Sequence, residues 1–348
     1  MKKYLVVLVA LMMVLSISVT GMAQDSKVLK LAHLNPQQPK EIATAAMAQV
    51  FKSMVESGTN GSITVEIYPN GVLGNERETM EQVLSGVTQS YIASGGGMST
   101  FYPLFSIVNI PFSISNYSVA YEVYDGEFGE MMANDIEEKT GFKVLGFGES
   151  GGFFQLTNSQ RPIKSPEDME GLKFRTMTIP IHMEFMRSLG ASPTPIAWAE
   201  LYTSLQTGVV SGQHNPAPII KIGKLEEVQK YMTLTNHMYT PYVWVISPDF
   251  FNGLSEKEQM VIEEAARVAN VAGRGVNRLI ESSDEGIPYL AEKMEVYNPT
   301  PEEMQAFRDE AIPAAMSFIE EKYGEEGSEM ADNYLNAIEA AREKLELE

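Results

Sequence analysis

No cysteine occurs among the 348 residues. Its absence excludes disulfides, thiolate zinc sites and thiol catalysis. It also excludes lipid attachment at an N-terminal cysteine. Histidine is nearly as scarce, with four in all, and no H-x-x-x-H spacing or EF-hand loop accompanies them. "GGGMS" at 95–99 lacks the spacing of a dinucleotide fingerprint. No metal and no cofactor is therefore expected. Positive charge is short as well: 26 Lys and Arg face 46 Asp and Glu, a net charge of −20. Such a surface repels phosphate backbones and anionic lipid, so nucleic acid is not an expected partner. Internal repeats, low-complexity tracts and Pro/Ser/Gly tethers are also missing. Any domain boundary must then be crossed by ordered elements.

The long apolar run lies at the front. Lys2 and Lys3 precede Tyr4–Val19, and Gly21-Met22-Ala23 has the small-x-small shape of a cleavage site. A run of roughly 16 residues falls short of the ~20 that span a bilayer. Residues 1–23 read as a signal peptide cut after Ala23, which sends the chain to the periplasm. A membrane anchor is the alternative, but no stop-transfer flank follows. The remaining chain, roughly 325 residues, is longer than one core usually serves, so two domains are expected.

Helices and strands alternate beyond that point. Val28–Ala32 reads as a strand and Glu41–Ser57 as a helix, with Met47, Val50, Phe51, Met54 and Val55 on one face. Alternation at Ile63, Val65 and Ile67 marks a strand over Ser62–Tyr68. A helix over Glu76–Leu84 follows, then short strands near Tyr91–Ser94, Val144–Gly148, Phe153–Thr157 and Leu172–Met177. Ser165-Pro166 opens a helix. Ser255-x-x-Glu258 is a capping box that opens a long helix to about Glu281, and Thr300-Pro301-x-Glu303 opens another. The fold class is α/β, in which ligands sit at the carboxyl ends of strands.

The stretch "ELYTSLQTGVVSGQHNP" (200–216) reads as a helix, a stop at Gly208 and a strand that starts at Val209-Val210. Gln213, His214 and Asn215 then form a polar cluster before Pro216, at an expected strand end. Arg175 ends another strand, where a guanidinium fork suits a carboxylate; a surface ion pair with a nearby acid is the bland alternative. "GESGG" (148–152) matches the G-x-S-x-G of a secreted esterase, with Ser150 as nucleophile. A helix should follow such an elbow, but Phe153–Thr157 is strand-like.

One set of segments carries a resemblance: "LKLAHL" (29–34), "YPNGVLGNERE" (68–78), "NIPF" (109–112), "LTNSQRPIKSPEDMEGLKFRTM" (156–177), "LGASPTPIAWAELYTSLQTGVVSGQHNP" (189–216) and "EVQKYMTLTNH" (227–237). In this order the chain resembles the substrate-binding proteins of tripartite ATP-independent periplasmic (TRAP) transporters, the DctP family. The resemblance implies a two-lobed, type II-like periplasmic binding protein with hinge strands and a long helix spanning both lobes. Lobe one would be 24–152 plus 241–280, and lobe two 153–240 plus 281–348. The implied function is not enzymatic. It is capture of a small organic anion between the lobes and delivery to small and large membrane permease subunits, with the binding protein acting as a monomer. An ABC permease or a sensor is the alternative partner.

The resemblance places the ligand-clamping arginine on Arg175 and the family's asparagine on Asn215. It also puts Trp198, Glu76, Ser94, Gly95, His33 and Leu34 near the ligand. The bland roles are core packing for Trp198 and a helix N-terminal charge for Glu76. His214 stands where most members carry an acid. Gln155 stands where many carry a second arginine, which implies a ligand with one carboxylate and a neutral remainder, with Phe153 or Phe154 as an apolar wall. The two phenylalanines are strand neighbours and face opposite sides.

Overall fold

The computed structural model describes residues 26–347; the expected signal peptide and its cut lie outside them. β1 (Lys27–Ala32), β2 (Ile63–Tyr68), β3 (Ser90–Ala93), β4 (Lys143–Asn158) and β9 (Tyr239–Ile246) form one sheet in the order β2-β1-β3-β9-β4. β1 runs parallel to β2 and β3, while β9 runs antiparallel to both neighbours. The second sheet holds β5 (Lys173–Thr176), β6 (Ser192–Pro195), β7 (Gly212–Pro216), β8 (Tyr231–Thr233) and β10 (Glu295–Tyr297), arranged around the far end of β4.

β4 is thus one strand of 16 residues, not the two short strands expected at 144–148 and 153–157. Its glycines hid this from the sequence. The register against β9 shifts between Glu149 and Phe153, and Gly151 and Gly152 take φ values of +146° and +92°. Only glycine adopts those angles cheaply. The same continuity removes the esterase reading. Ser150 is followed by more strand, and its hydroxyl donates to the Thr240 carbonyl at 2.7 Å.

Each sheet buries both faces. Leu29, Leu31, Ile63, Val65 and Trp244 pack under the helices Ala43–Gly58 and Glu256–Glu281, with Phe51 4.9 Å from Trp244 between ring centres. The opposite face packs on helices Tyr117–Asp125 and Glu127–Thr140. Against the second sheet and its helices, Phe154, Leu156, Phe174 and Phe185 form one core, and Leu201, Val210, Ile220 and Met232 another. The capping boxes at Ser255 and Thr300 are present, whereas Ser165 caps only a 3₁₀ turn over Pro166–Met169.

The C-terminal helix Pro301–Lys344, bent at Gly324, does not stay in one lobe. Phe307 and Ala311 join the core of the second sheet, while Ile319, Ala331, Tyr334 and Ile338 complete the core under the first. The expected assignment of 281–348 to lobe two alone therefore gives way to a helix shared by both. A 26-residue helix, Glu256–Glu281, lies on the first sheet.

A second correction concerns 209–211. Val209 is 57% exposed and the strand begins at Gly212. Gln213, His214 and Asn215 are the strand itself, buried because each side chain finds a polar partner.

Candidate functional site

Between the two sheets lies a cavity of about 370 Å³. The end of β1 supplies Leu34 and Asn35, the helix Glu76–Leu84 supplies its first residue, and Ser94 and Gly95 follow β3. The second sheet supplies Arg175, Asn215 and Pro216, and the helix Trp198–Gln206 its opening tryptophan. The cavity therefore sits at the carboxyl ends of parallel strands, as α/β sheets favour.

Arg175 is the unusual group. It is 2% exposed, yet the only side-chain hydrogen bond it makes among the described residues runs from Nε to the Ile196 carbonyl at 2.8 Å. One terminal nitrogen is sealed in with no acceptor. Among the described residues no carboxylate lies within ion-pair distance of it. Burial lowers its pKa to about 10, and the charge of Glu76 partly offsets that. A buried, unpaired guanidinium is costly, and such groups are normally matched.

Glu76 faces the same space. Its Oε1 accepts from the Ser94 backbone N–H at 2.9 Å and its Oε2 from the Ser94 hydroxyl at 2.8 Å. Enclosure raises its pKa, and the Ser94 bonds, Tyr91 and Arg175 pull it back. Ser94 Oγ also accepts from Gly97 N at 3.2 Å, so one serine caps a helix and steadies the acid. Gly95 is a close-approach position: a Cβ there would stand 2.5 Å from Thr240 Cγ2 and 2.9 Å from Phe105 Cε1. Trp198 is half-buried and lines the cavity while packing on the core around Leu201 and Ile220.

Seven of the ten expected residues thus come together at one cavity: Arg175, Asn215, Trp198, Ser94, Gly95, Glu76 and Leu34. The other three do not line it. Gln155 is turned to Asn236, donating to its side-chain oxygen at 2.5 Å and accepting from its backbone N–H at 3.1 Å. It stabilises a loop in which Asn236 has φ +46°. His33 is fully buried and bonded to Gln37 at 2.9 Å, and desolvation lowers its pKa. His214 points to the opposite face of β7, where it links His182 and His237 at 3.2 and 2.9 Å. Side chains one residue apart on a strand face opposite ways. The phenylalanines part as strand neighbours do: the Phe154 ring packs on His182 and His214, and the residue also borders the cavity, while Phe153 packs on Tyr117 and Tyr239.

Sequence reasoning missed Asn35, Met177, Thr178, Ile196, Ile219 and Tyr242 on the cavity wall. Asn35 lies just past "LKLAHL", a strand-end position that could have flagged it. Tyr242 is in the middle of β9 and carries no local signal.

Two sheets that share a strand, with a cavity between them lined by one unpaired buried arginine, define a two-lobed solute-binding protein. A family model of bacterial extracellular solute-binding proteins, family 7 (DctP), matches residues 32–322. The chain belongs to that family, the solute receptors of TRAP transporters, which are periplasmic binding proteins and not enzymes. A TRAP solute-binding protein from Polaromonas sp. JS666, solved with D-erythronate, is 34% identical and covers 89% of this chain and 98% of its own, with a TM-score of 0.81. The sugar acid binding protein DctPAm from Advenella mimigardefordensis, solved with galactonate, is 29% identical over 91% and 99% of the two chains, with a TM-score of 0.83. The ectoine-binding periplasmic protein TeaA of Halomonas elongata is 33% identical over 86% of this chain and 87% of its own.

Proposed function

We propose that this chain captures a small organic monocarboxylate in the interlobe cavity, with the carboxylate on Arg175 and Asn215 beside it. The observation that carries this is Arg175 itself, a buried guanidinium with unused donors and, among the described residues, no carboxylate within ion-pair distance. A ligand carboxylate would supply the missing partner through charge-assisted bonds. The expectation of a single carboxylate first rested on Gln155, which is not on the cavity wall. A different feature supports it: Glu76 and Glu200 line the same space and would repel a second carboxylate. Phe154, Trp198, Ile196 and Ile219 give the remainder of the ligand an apolar wall. The loaded receptor acts as a monomer and hands its ligand to the small and large membrane subunits. The mature chain begins at Gln24 after cleavage behind Ala23.

Calorimetry tests the assignment against a panel of mono- and dicarboxylates that includes D-erythronate, galactonate and succinate. A hydrogen bond to a charged group contributes about 1.5–3 kcal/mol, and a buried ligand charge left unpaired adds to the loss. Arg175→Ala should weaken binding at least about a hundredfold. Binding within a few-fold of wild type would refute the role of Arg175, and tighter binding of succinate than of every monocarboxylate would refute the single-carboxylate assignment. N-terminal sequencing of exported protein checks the cut.

A further inference from the structure

Asn215 has an amide whose two ends offer opposite chemistry to a ligand, and a buried chain of side chains determines which end is free. The chain starts at Gln229, which is 3% exposed. Its Nε2 donates to the carbonyls of Val228 at 2.9 Å and Ser211 at 3.3 Å. Both are backbone acceptors, so the amide can point only one way and its Oε1 must accept. It accepts from the Thr157 hydroxyl at 2.9 Å. A hydroxyl has one proton. Thr157 has used it, so its oxygen must accept in turn, and it does so from Gln213 Nε2 at 2.7 Å. Gln213 is thereby fixed with Oε1 towards Asn215, and Asn215 Nδ2 donates to it. Gln213 and Thr157 are fully buried. None of the three lines the cavity.

The consequence falls on Asn215. Its Oδ1 makes no hydrogen bond within the described residues and is not among the sealed polar atoms, and the residue lines the cavity. Arg175 pairs in register with Gln213 in the neighbouring parallel strand. Asn215 therefore stands two residues further along β7 on the same face as Arg175. With one Nδ2 hydrogen committed to Gln213, the amide presents a fixed acceptor and one remaining N–H to whatever Arg175 holds. Were the amide free to rotate by half a turn, it could present two donors instead.

We infer that Gln229, Thr157 and Gln213 are positioning residues that lock the Asn215 carbonyl oxygen towards the cavity, and that this lock makes the site select carboxylates bearing a hydroxyl next to the carboxylate over their deoxy counterparts. The inference rests on the proposed carboxylate function. The hydroxyl donates to Asn215 Oδ1, while Arg175 takes the carboxylate. A deoxy ligand buries that oxygen without a donor, which is the asymmetry that separates hydroxylated from unhydroxylated ligands at polar sites.

The test is the affinity ratio between matched ligands, measured by calorimetry: D-erythronate against 3,4-dihydroxybutanoate, and lactate against propionate. Wild type should favour the 2-hydroxy member of each pair that binds by about tenfold or more. Thr157→Val removes the link, frees both amides to turn, and should bring the ratio below about threefold with the deoxy affinity little changed. Thr157→Ser restores the hydroxyl and should restore the ratio. Gln229→Met cuts the chain at its far end and should act like Thr157→Val, which keeps the test independent of whether one variant folds. A role in stability alone would lower both affinities together and leave the ratio intact. A wild type that binds both members equally overturns the inference and leaves the carboxylate function standing. So does an unchanged ratio in Thr157→Val or Gln229→Met. Failure of every carboxylate in the wider panel to bind overturns both.

Discussion

Arg175→Met should make the ligand-free protein more stable while removing its response to ligand. The magnitude follows from the burial of the guanidinium. Its pKa falls from 12.5 to about 10, which corresponds to roughly 3 kcal/mol against the charged form in the folded state. Because the folded value lies below the unfolded one, that cost is present at every pH below about 10 and disappears only above 12.5. Methionine keeps the length of the side chain and removes the charge. One bond is lost, from Nε to the Ile196 carbonyl at 2.8 Å. Ile196 is half-buried beside the cavity, so leaving its oxygen to water costs about 1 kcal/mol. The difference is a gain of about 1–2 kcal/mol, readable as a higher urea midpoint at unchanged slope. Ligand at a hundredfold excess over Kd should stabilise wild type by about 2.7 kcal/mol and the variant not at all. An apo variant less stable than wild type by 1 kcal/mol or more would refute the reasoning. It would mean that the arginine supports the fold and is not held ready for an anion.

The histidine chain predicts acid sensitivity. Burial lowers the pKa of His182 to about 3 and those of His214 and His237 well below 6.5, with the charge of Arg175 adding to the effect on His182 and His214. The unfolded chain then binds protons that the folded one refuses, so stability is full above about pH 6.5 and falls towards pH 3, by up to about 1.4 kcal/mol per pH unit for each histidine. Urea midpoints at pH 7.5 and 4.5 check this, and His182→Asn should flatten the slope; a pH-independent midpoint would contradict it. Glu149 is fully buried against Arg278 at 2.6 Å and accepts from Tyr121 at 2.8 Å, beside the register shift of β4. Glu149→Gln strands a half-buried Arg278, which keeps Glu281 at 3.2 Å. It should cost about 2–3 kcal/mol in urea unfolding, and a loss below 0.5 kcal/mol would show that the pair contributes little.

What the sequence disclosed followed local chemistry. Ser255 and Thr300 announce their helices because a capping box is complete within four residues. The period of Met47, Phe51 and Val55 shows a buried helical face for the same reason. β4 was read as two strands because Gly146, Gly151 and Gly152 break the alternation, and the partner that holds it together, β9, lies some 90 residues on. The strand Gly212–Pro216 was misread in the opposite direction. Val209-Val210 has strand propensity, but the structure prefers Gln213 and His214 because Thr157 on β4, His182 on the helix Pro180–Ser188 and His237 just before β9 supply their polar partners. Such compensation is invisible locally. At the site, motif similarity found Arg175, Asn215 and Glu76. It failed at Gln155, His33 and His214. His33 and His214 are on the right strands but off the cavity wall, since one residue of offset turns a side chain to the other face; Gln155 stands in register opposite Asn215 and is drawn away by its bonds to Asn236.

The C-terminal helix has a consequence for how the chain is made. Tyr334 and Ile338 pack with Val119, Phe128 and Tyr124, more than 200 residues earlier. The largest core therefore stays unfinished until the last few dozen residues have left the ribosome. Synthesis takes tens of seconds at about 5–20 residues per second, and for that time the earlier part of the chain lacks the surface it must close against. For a periplasmic binding protein, which finishes folding outside the compartment that makes it, a fold that cannot lock early is an advantage. A chain truncated near residue 320 should accumulate unfolded, though every residue lining the cavity would be present.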